Sequence, residues 1–354
     1  MKKPLGKIVA STALLISVAF SSSIASASQD VPLRVLAEKL NIHIGFAAGN
    51  NFWSLPDAEK YMEVAKREFN ILTPGNQMKW DTIHPERNRY NFEPAEKHVE
   101  FALKNDMIVH GHTLVWHNQL PGWLTGQEWS KEELLNILED HVKTVVSHFR
   151  GRVKIWDVVN EAVSDSGTYR ESIWYRTIGP EYIEKALIWA KEADPDAILI
   201  YNDYNIEEIN AKSNFVYNMI KNLREKGVPI DGIGFQMHID YRGINYESFK
   251  KNLERFAELG LQIYITEMDR GFPLGGSVGY YLKKQAEVYR RIFEICLDNP
   301  AVRAIQFWGF TDKYSWVPGF FKGYGKALIF DENYNPKPCY FAIRELMEEK
   351  LKER

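Results

Sequence analysis

Two glutamates end runs that are otherwise apolar. Glu161 closes Ile155-Trp156-Asp157-Val158-Val159-Asn160-Glu161, and Glu267 closes Ile263-Tyr264-Ile265-Thr266-Glu267. A carboxylate in such a place is costly unless something compensates its desolvation. Two of them facing one cleft suit glycoside hydrolysis: one carboxylic acid protonates the leaving oxygen while the other attacks the sugar. A separation of about 5–5.5 Å goes with retained configuration. The bland alternative, a pair of salt bridges at a barrel mouth, stays open on these segments alone.

A second chemistry competes. His110-Gly111-His112 with His117 could begin a metal site, which needs further His or carboxylate ligands converging from later segments. The later segments supply Asn160-Glu161, Gln236-Met237-His238 and Thr266-Glu267 instead, so neither a metal nor a cofactor is expected. A polysaccharide-binding protein without catalysis is a third reading. Such a protein could lose one carboxylate, and this chain keeps both.

The elements that must position these residues alternate between short β-like runs and longer amphipathic stretches. Strands are expected at His43–Ala47, Ile71–Thr73, Ile108–His112, Val153–Asn160, Ala197–Asn202, Gly232–His238, Gln262–Glu267 and Val302–Trp308. Helices are expected at Asp57–Phe69, Lys131–Phe149, Glu181–Glu192, Asn210–Lys226, Tyr246–Leu259 and Tyr280–Asp298. Eight such units make an α/β fold, a single-domain (β/α)8 TIM barrel. An open doubly wound sheet would carry a glycine-rich phosphate turn after its first strand, and Gly45-Phe46-Ala47-Ala48-Gly49 does not match one. Polar and aromatic residues appear just where the apolar runs finish: Asn76 and Lys79, His112 and Trp116, Asn160-Glu161, Asp203-Tyr204, Gln236 and His238, Glu267 and Asp269, Trp308. In a barrel those ends open on one face, where active sites lie.

Composition bounds the setting. Lys2, Lys3 and Lys7 precede an apolar run from Ile8 to Phe20, and Ala25-Ser26-Ala27 follows, the pattern of a secretory signal peptide over 1–27. The run is short of the roughly 20 residues that a spanning helix needs, so a secreted, extracellular protein is expected. The catalytic domain is then 28–354, since no linker or low-complexity stretch interrupts it. A net charge of −3 gives no reason to expect nucleic acid or membrane as partner. Cys296 and Cys339 are the only cysteines, and export would permit a bridge between them. Aromatic residues make up 13% of the chain, which suits stacking on sugar rings.

The two glutamate segments resemble the signature strands of glycoside hydrolase family 10, the endo-β-1,4-xylanases. So do Gly111-His112-Thr113-Leu114-Val115-Trp116-His117-Asn118-Gln119, Tyr201-Asn202-Asp203-Tyr204-Asn205, Phe235-Gln236-Met237-His238 and Trp308-Gly309-Phe310-Thr311-Asp312, in family order. The resemblance implies a retaining double displacement on xylan and xylo-oligosaccharides, by a monomer, with Glu161 as acid and then base and Glu267 as nucleophile. It also implies that His238 bonds the nucleophile, that Asp269 holds His238, and that Asn160 meets the sugar 2-OH. Lys79, His112, Trp116, Gln236 and Trp308 match positions around the sugar being cleaved. Asn76, Gln119 and Trp316 match the next subsite, and Tyr204 the leaving-group side. Gln119 and Trp316 crowd the space a glucose hydroxymethyl would fill, worth about 1–3 kcal/mol, so some action on β-glucan is compatible with the reading. In this mechanism Glu161 needs a less polar site that keeps it protonated. One departure stands out: Gly75-Asn76-Gln77-Met78-Lys79 has glycine where the family usually has glutamate, which predicts a weaker or reshaped second subsite.

Overall fold

The computed structural model describes residues 31–354, and the expected signal peptide lies outside them. Eight parallel strands form the centre: β1 (His43–Ala48), β2 (Ile71–Pro74), β3 (Ile108–Val115), β4 (Val153–Asn160), β5 (Ile198–Asp203), β6 (Gly232–Phe235), β7 (Gln262–Arg270) and β8 (Val302–Phe307). Each pairs in parallel with the next, and β8 pairs with both β7 and β1, so the sheet closes into the expected (β/α)8 barrel. Closure removes the unpaired strand edges that an open sheet must protect.

Around it run α1 (Leu33–Leu40), α2 (Ala58–Glu68), α3 (Glu93–Lys104), α4 (Lys131–His148), α5 (Glu181–Ala193), α6 (Ala211–Glu225), α7 (Tyr246–Glu258), α8 (Val278–Leu297) and α9 (Pro338–Lys352). Local chemistry starts several of them. Ser130 accepts from the Glu133 N–H while the Glu133 carboxylate accepts from the Ser130 N–H, a reciprocal cap at the head of α4. Asn210 and Ser213 do the same for α6. The six expected helices are present to within two residues at each end; α1, α3 and α9 lie outside those six.

Strand periodicity builds the interior in layers. Ile71, Ile155, Ile200, Tyr264 and Ala304 form one apolar cluster inside the barrel. Two residues further along the same strands, hence on the same side, stand Thr73, Asp157, Asn202, Thr266 and Gln306, all buried. This polar layer is hydrogen-bonded within itself. Thr73 Oγ1 donates to Gln306 Oε1 at 2.8 Å, and Gln306 Nε2 lies 2.7 Å from His110 Nδ1. Thr266 Oγ1 donates to Asn202 Oδ1 at 2.7 Å. The layer is the floor of the cleft.

Three strand ends need correction, and the bridge that the sequence left open is not formed. β3 runs on to Val115 rather than ending at His112, and Val115 pairs with Val159. β6 stops at Phe235 rather than His238: Met237 takes φ +63°, and its N–H donates to the Glu207 carboxylate at 2.8 Å instead of continuing the ladder. β7 runs on to Arg270, because His238 and Ile239 pair with Asp269 and Arg270 beyond the barrel proper. Cys296 and Cys339 are free, buried thiols. Cys339 Sγ faces Gln285 Oε1 at 3.5 Å, and burial pushes this thiol up to about 11.

Candidate active site

Every residue that the sequence analysis singled out as catalytic, supporting or substrate-binding lines one cleft of about 1520 Å3 at the carboxyl ends of the strands. The two glutamates stand at opposite sides of it and are held in different ways.

Glu267 is fixed on all sides. Its N–H donates to the Gln236 carbonyl at 3.0 Å. One carboxylate oxygen accepts from Asn202 Nδ2 at 2.8 Å, and the other lies 3.2 Å from His238 Nε2. Asn202 can stand there because Gly234 has no side chain: a Cβ on Gly234 would lie 2.3 Å from Asn202 Oδ1. His238 Nδ1 meets Asp269 Oδ1 at 3.1 Å, and Trp316 donates its indole N–H to Asp269 Oδ2 at 2.6 Å. Burial opposes a charge on His238, yet the carboxylates of Asp269 and Glu267 outweigh it and hold the imidazole protonated well above its ordinary range. That imidazolium holds Glu267 by a charge-assisted hydrogen bond.

Glu161 is held differently. It has φ +57°, the left-handed region that non-glycine residues seldom adopt. Its N–H donates to the Asn202 carbonyl at 2.9 Å. Oε1 accepts from Gln236 Nε2 at 3.0 Å and from Asn160 Nδ2 at 3.2 Å, while His117 Nδ1 lies 3.9 Å from Oε2. The expectation of a less polar site is not met. Burial raises the proton affinity of Glu161, but the Gln236 amide, the neighbouring Trp116 indole and the charge of Arg170 bring it below the ordinary carboxylate value; His117, which burial lowers to about 4, adds to this only once protonated. Asn160 turns its Nδ2 to Glu161, and its Oδ1 accepts from Asn202 Nδ2 at 2.9 Å.

Between the two, Lys79 Nζ donates to Asn76 Oδ1 at 3.0 Å and Gln119 Oε1 at 2.9 Å. The ammonium lies 4.8 Å from the Trp116 ring centroid and 5.8 Å from that of Trp308. Burial lowers it to about 8, against the pull of Glu267, Asp81 and Glu161. The buried indole nitrogen of Trp116 has no protein partner among the described residues. Gly75 proves to be more than a missing contact. Its N–H donates to the Ala48 carbonyl at 3.0 Å, and a Cβ there would stand 2.9 Å from that same oxygen. The end of β1 is packed against the glycine.

The histidines that competed for a metal are committed elsewhere. His110 Nε2 and His112 Nδ1 grip the two oxygens of buried Asp157 at 3.0 and 2.7 Å. Burial raises the Asp157 carboxyl, but the two histidines bring it down to about 2. Among the described residues, no group of three or more His, Cys, Asp or Glu is placed to hold a metal ion.

Comparison with known proteins agrees with this geometry. The sequence pattern described as Glycosyl hydrolase family 10 matches residues 32–346. The chain belongs to glycosyl hydrolase family 10. Among its family 10 relatives is the β-1,4-xylanase of Dictyoglomus thermophilum, 43% identical over 297 residues, covering 80% of this chain and 83% of that one. Native xylanase 10B from Thermotoga maritima superposes with a TM-score of 0.91 at 85% identity, covering 92% of this chain and all of that chain. Xylanase 10B from Thermotoga petrophila RKU-1, in complex with xylobiose, gives 0.91 at 84% identity, with 91% and 99% covered.

Within this family 10 site, several contacts were not foreseen in the sequence. Asn202 joins both glutamate segments, although only its motif was visible. His117 stands in the sequence as a candidate metal ligand and as part of the His112 segment, with nothing there to place it beside Glu161. Arg170 and Lys212 carry no motif: they flank Tyr204, with Arg170 donating to its hydroxyl at 3.0 Å and Lys212 Nζ lying 3.4 Å from its ring centroid. Lys212 is buried against Asp203, whose carboxyl burial pushes up to about 7 despite the opposing pull of Lys212 and Tyr201.

Proposed function

We infer that this protein is an endo-1,4-β-xylanase, which hydrolyses internal β-1,4-xylosidic bonds of xylan by a retaining double displacement. The observation that carries the roles is the contrast between the carboxylates: Glu267 bears a protonated His238 on one oxygen and Asn202 on the other, whereas the hydrogen bonds to Glu161 come from the neutral amides of Gln236 and Asn160, with His117 Nδ1 3.9 Å from its other oxygen. Glu267 is therefore the nucleophile and attacks the anomeric carbon. As the bond to the leaving oxygen breaks, Glu161 delivers its proton to that oxygen. A water then enters, Glu161 takes its proton, and the hydroxyl displaces Glu267 by attack from the face the leaving group vacated, opposite the ester, so two inversions retain the configuration. In the free protein Glu161 leans toward its ionised form, which suits the second step. For the first, a sugar chain that displaces water from the cleft beside ionised Glu267 raises its proton affinity. After glycosylation Glu267 is a neutral ester, and that upward push disappears.

Lys79, Asn76, Gln119, His112, Trp116, Gln236, Trp308 and Trp316 line the sugar path, and Tyr204 the leaving-group side. Gln119 is pinned by Lys79 and Asn76, so its bulk stays where a hydroxymethyl group would project, which supports xylan over glucan. The basic, apolar and small-residue pattern over 1–27 supports export. Reducing-sugar release from xylan, carboxymethylcellulose and mannan tests the substrate. Xylan should exceed both by at least about tenfold; comparable rates on carboxymethylcellulose would overturn the xylan reading.

A further inference from the structure

Glu161 begins a loop that ends at Ser172, before the helix Ile173–Ile178, and one side chain closes that loop on itself. The Arg170 N–H donates to the Ala162 carbonyl at 2.8 Å, and Val163 pairs with Tyr169 in an isolated antiparallel bridge. From there the Arg170 guanidinium folds back to the start. Nε donates to the Glu161 carbonyl at 2.8 Å, and one terminal nitrogen donates both to the Val163 carbonyl at 3.2 Å and to the Tyr204 hydroxyl at 3.0 Å. The left-handed backbone of Glu161 is thus bonded on its N–H side to β5 and on its carbonyl side to Arg170. Tyr204 is bound in turn, since its ring also rests on the Lys212 ammonium. Arg170 does not itself line the cleft.

We propose that Arg170 is a positioning residue that ties the leaving-group platform at Tyr204 to the orientation of the Glu161 carboxyl. The proposal rests on the assignment of Glu161 as acid/base. A planar fork suits the task, because one guanidinium can donate in two directions at fixed angles. A sugar resting on Tyr204 is then presented to a carboxyl whose backbone is held by the same side chain. The positive charge of Arg170 also favours the ionised Glu161 needed in the second step, against the opposing effect of Asp203; nearby Lys212 is paired with Asp203 at 2.9 Å, and burial lowers His117 to about 4.

The test compares Arg170→Met, Arg170→Lys and Tyr204→Phe on xylan and on an aryl xylobioside whose leaving group needs no protonation. Arg170→Met should lower kcat/KM on xylan by roughly ten- to a hundredfold, a part of the 10²–10⁴ that acid catalysis supplies, and on the aryl substrate by less than about threefold. Its basic pH limb on xylan should move upward, since loss of the cation lets Glu161 keep its proton longer. Arg170→Lys restores the limb but not the ratio between substrates, because an ammonium lacks the fork. Tyr204→Phe gives a smaller loss of the same selectivity with the limb unmoved. Equal losses on both substrates in Arg170→Met, with an unmoved limb, would overturn the proposal. If Arg170→Met does not fold, an unchanged xylan-to-aryl ratio in Tyr204→Phe overturns it. Glu161→Ala separates the two levels: equal losses there sink the acid assignment itself, whereas sparing of the aryl substrate there and not in Arg170→Met sinks this proposal alone.

Discussion

The two sides of the cleft are built on opposite principles. On the β7 side, Glu267, His238, Asp269 and Trp316 form an unbroken chain of contacts, and Thr266 and Asn202 anchor it in the polar layer of the barrel. The Glu267 side chain is only 6% exposed. On the β4 side, Glu161 is 12% exposed, sits at a left-handed residue and depends on a loop for its support. The buried nitrogens of Trp116 and His117, without a hydrogen-bond partner among the described residues, lie on this side, whereas on the other both oxygens of Glu267 and both of Asp269 are bonded. A group that must hold one charge throughout turnover gains from saturation, because preorganised donors cost no reorganisation during reaction. A group that must give and take a proton gains from neighbours weak enough for its ionisation to follow the substrate.

The sharpest break of this comparison is removal of each carboxylate. Glu267→Ala should abolish turnover of every substrate, by on the order of 10⁴-fold or more. Glu161→Ala should spare glycosylation by substrates with good leaving groups far more than hydrolysis of xylan, with a difference on the order of 10²–10⁴. Steady-state kinetics on xylan and an aryl xylobioside read both.

Removing the imidazolium comes next. His238→Gln should lower kcat by roughly ten- to a hundredfold, the worth of a hydrogen bond to a charged group. It should do so on xylan and aryl substrates alike, because it acts through Glu267; a loss confined to xylan would contradict the division of roles.

The same residue carries a pH signature in stability. His238 is raised in the folded state above its unfolded value of about 6.5, so its stabilising effect is fully present below that pH. The effect is lost as pH rises through the raised folded value. Thermal melts of wild type and His238→Gln should differ most on the acid side of neutrality and converge as the medium becomes alkaline. A constant difference would show that the charge on His238 is not what braces the site.

The smallest effect is expected at Gly75, on the rim away from both carboxylates. Gly75→Glu should lower KM for short xylo-oligosaccharides, but by less than the roughly ten- to a hundredfold that a new charged hydrogen bond alone could give. The new Cβ must push the Ala48 carbonyl, a strain costing about 1–3 kcal/mol, visible as a lower Tm. A rise in KM with unchanged Tm would contradict this account.

Most of the fold was legible because its signals are local. Continuous apolar runs such as Ala197–Tyr201 and amphipathic stretches such as Lys131–Phe149 report their own burial, and the caps at Ser130 and Asn210 are written beside the helices they start. The ends of β6 and β7 were misread because neither is set by hydrophobic pattern. Met237 leaves the sheet for a carboxylate that is remote in sequence, and Asp269 and Arg270 are kept in it by His238 and Ile239. By itself, the sequence determined the alternation of strands and helices, which residue types stand at the strand ends, and hence their gathering on one face. Only the tertiary structure decided that His110 and His112 serve Asp157, that Gly75 is packed against β1, that the cysteines remain apart, and that Glu161 lies among donors rather than in an apolar pocket. The reason is physical: the ionisation and orientation of a side chain follow from every dipole and charge within a few ångströms, and in a closed barrel those neighbours come from strands far apart in the chain.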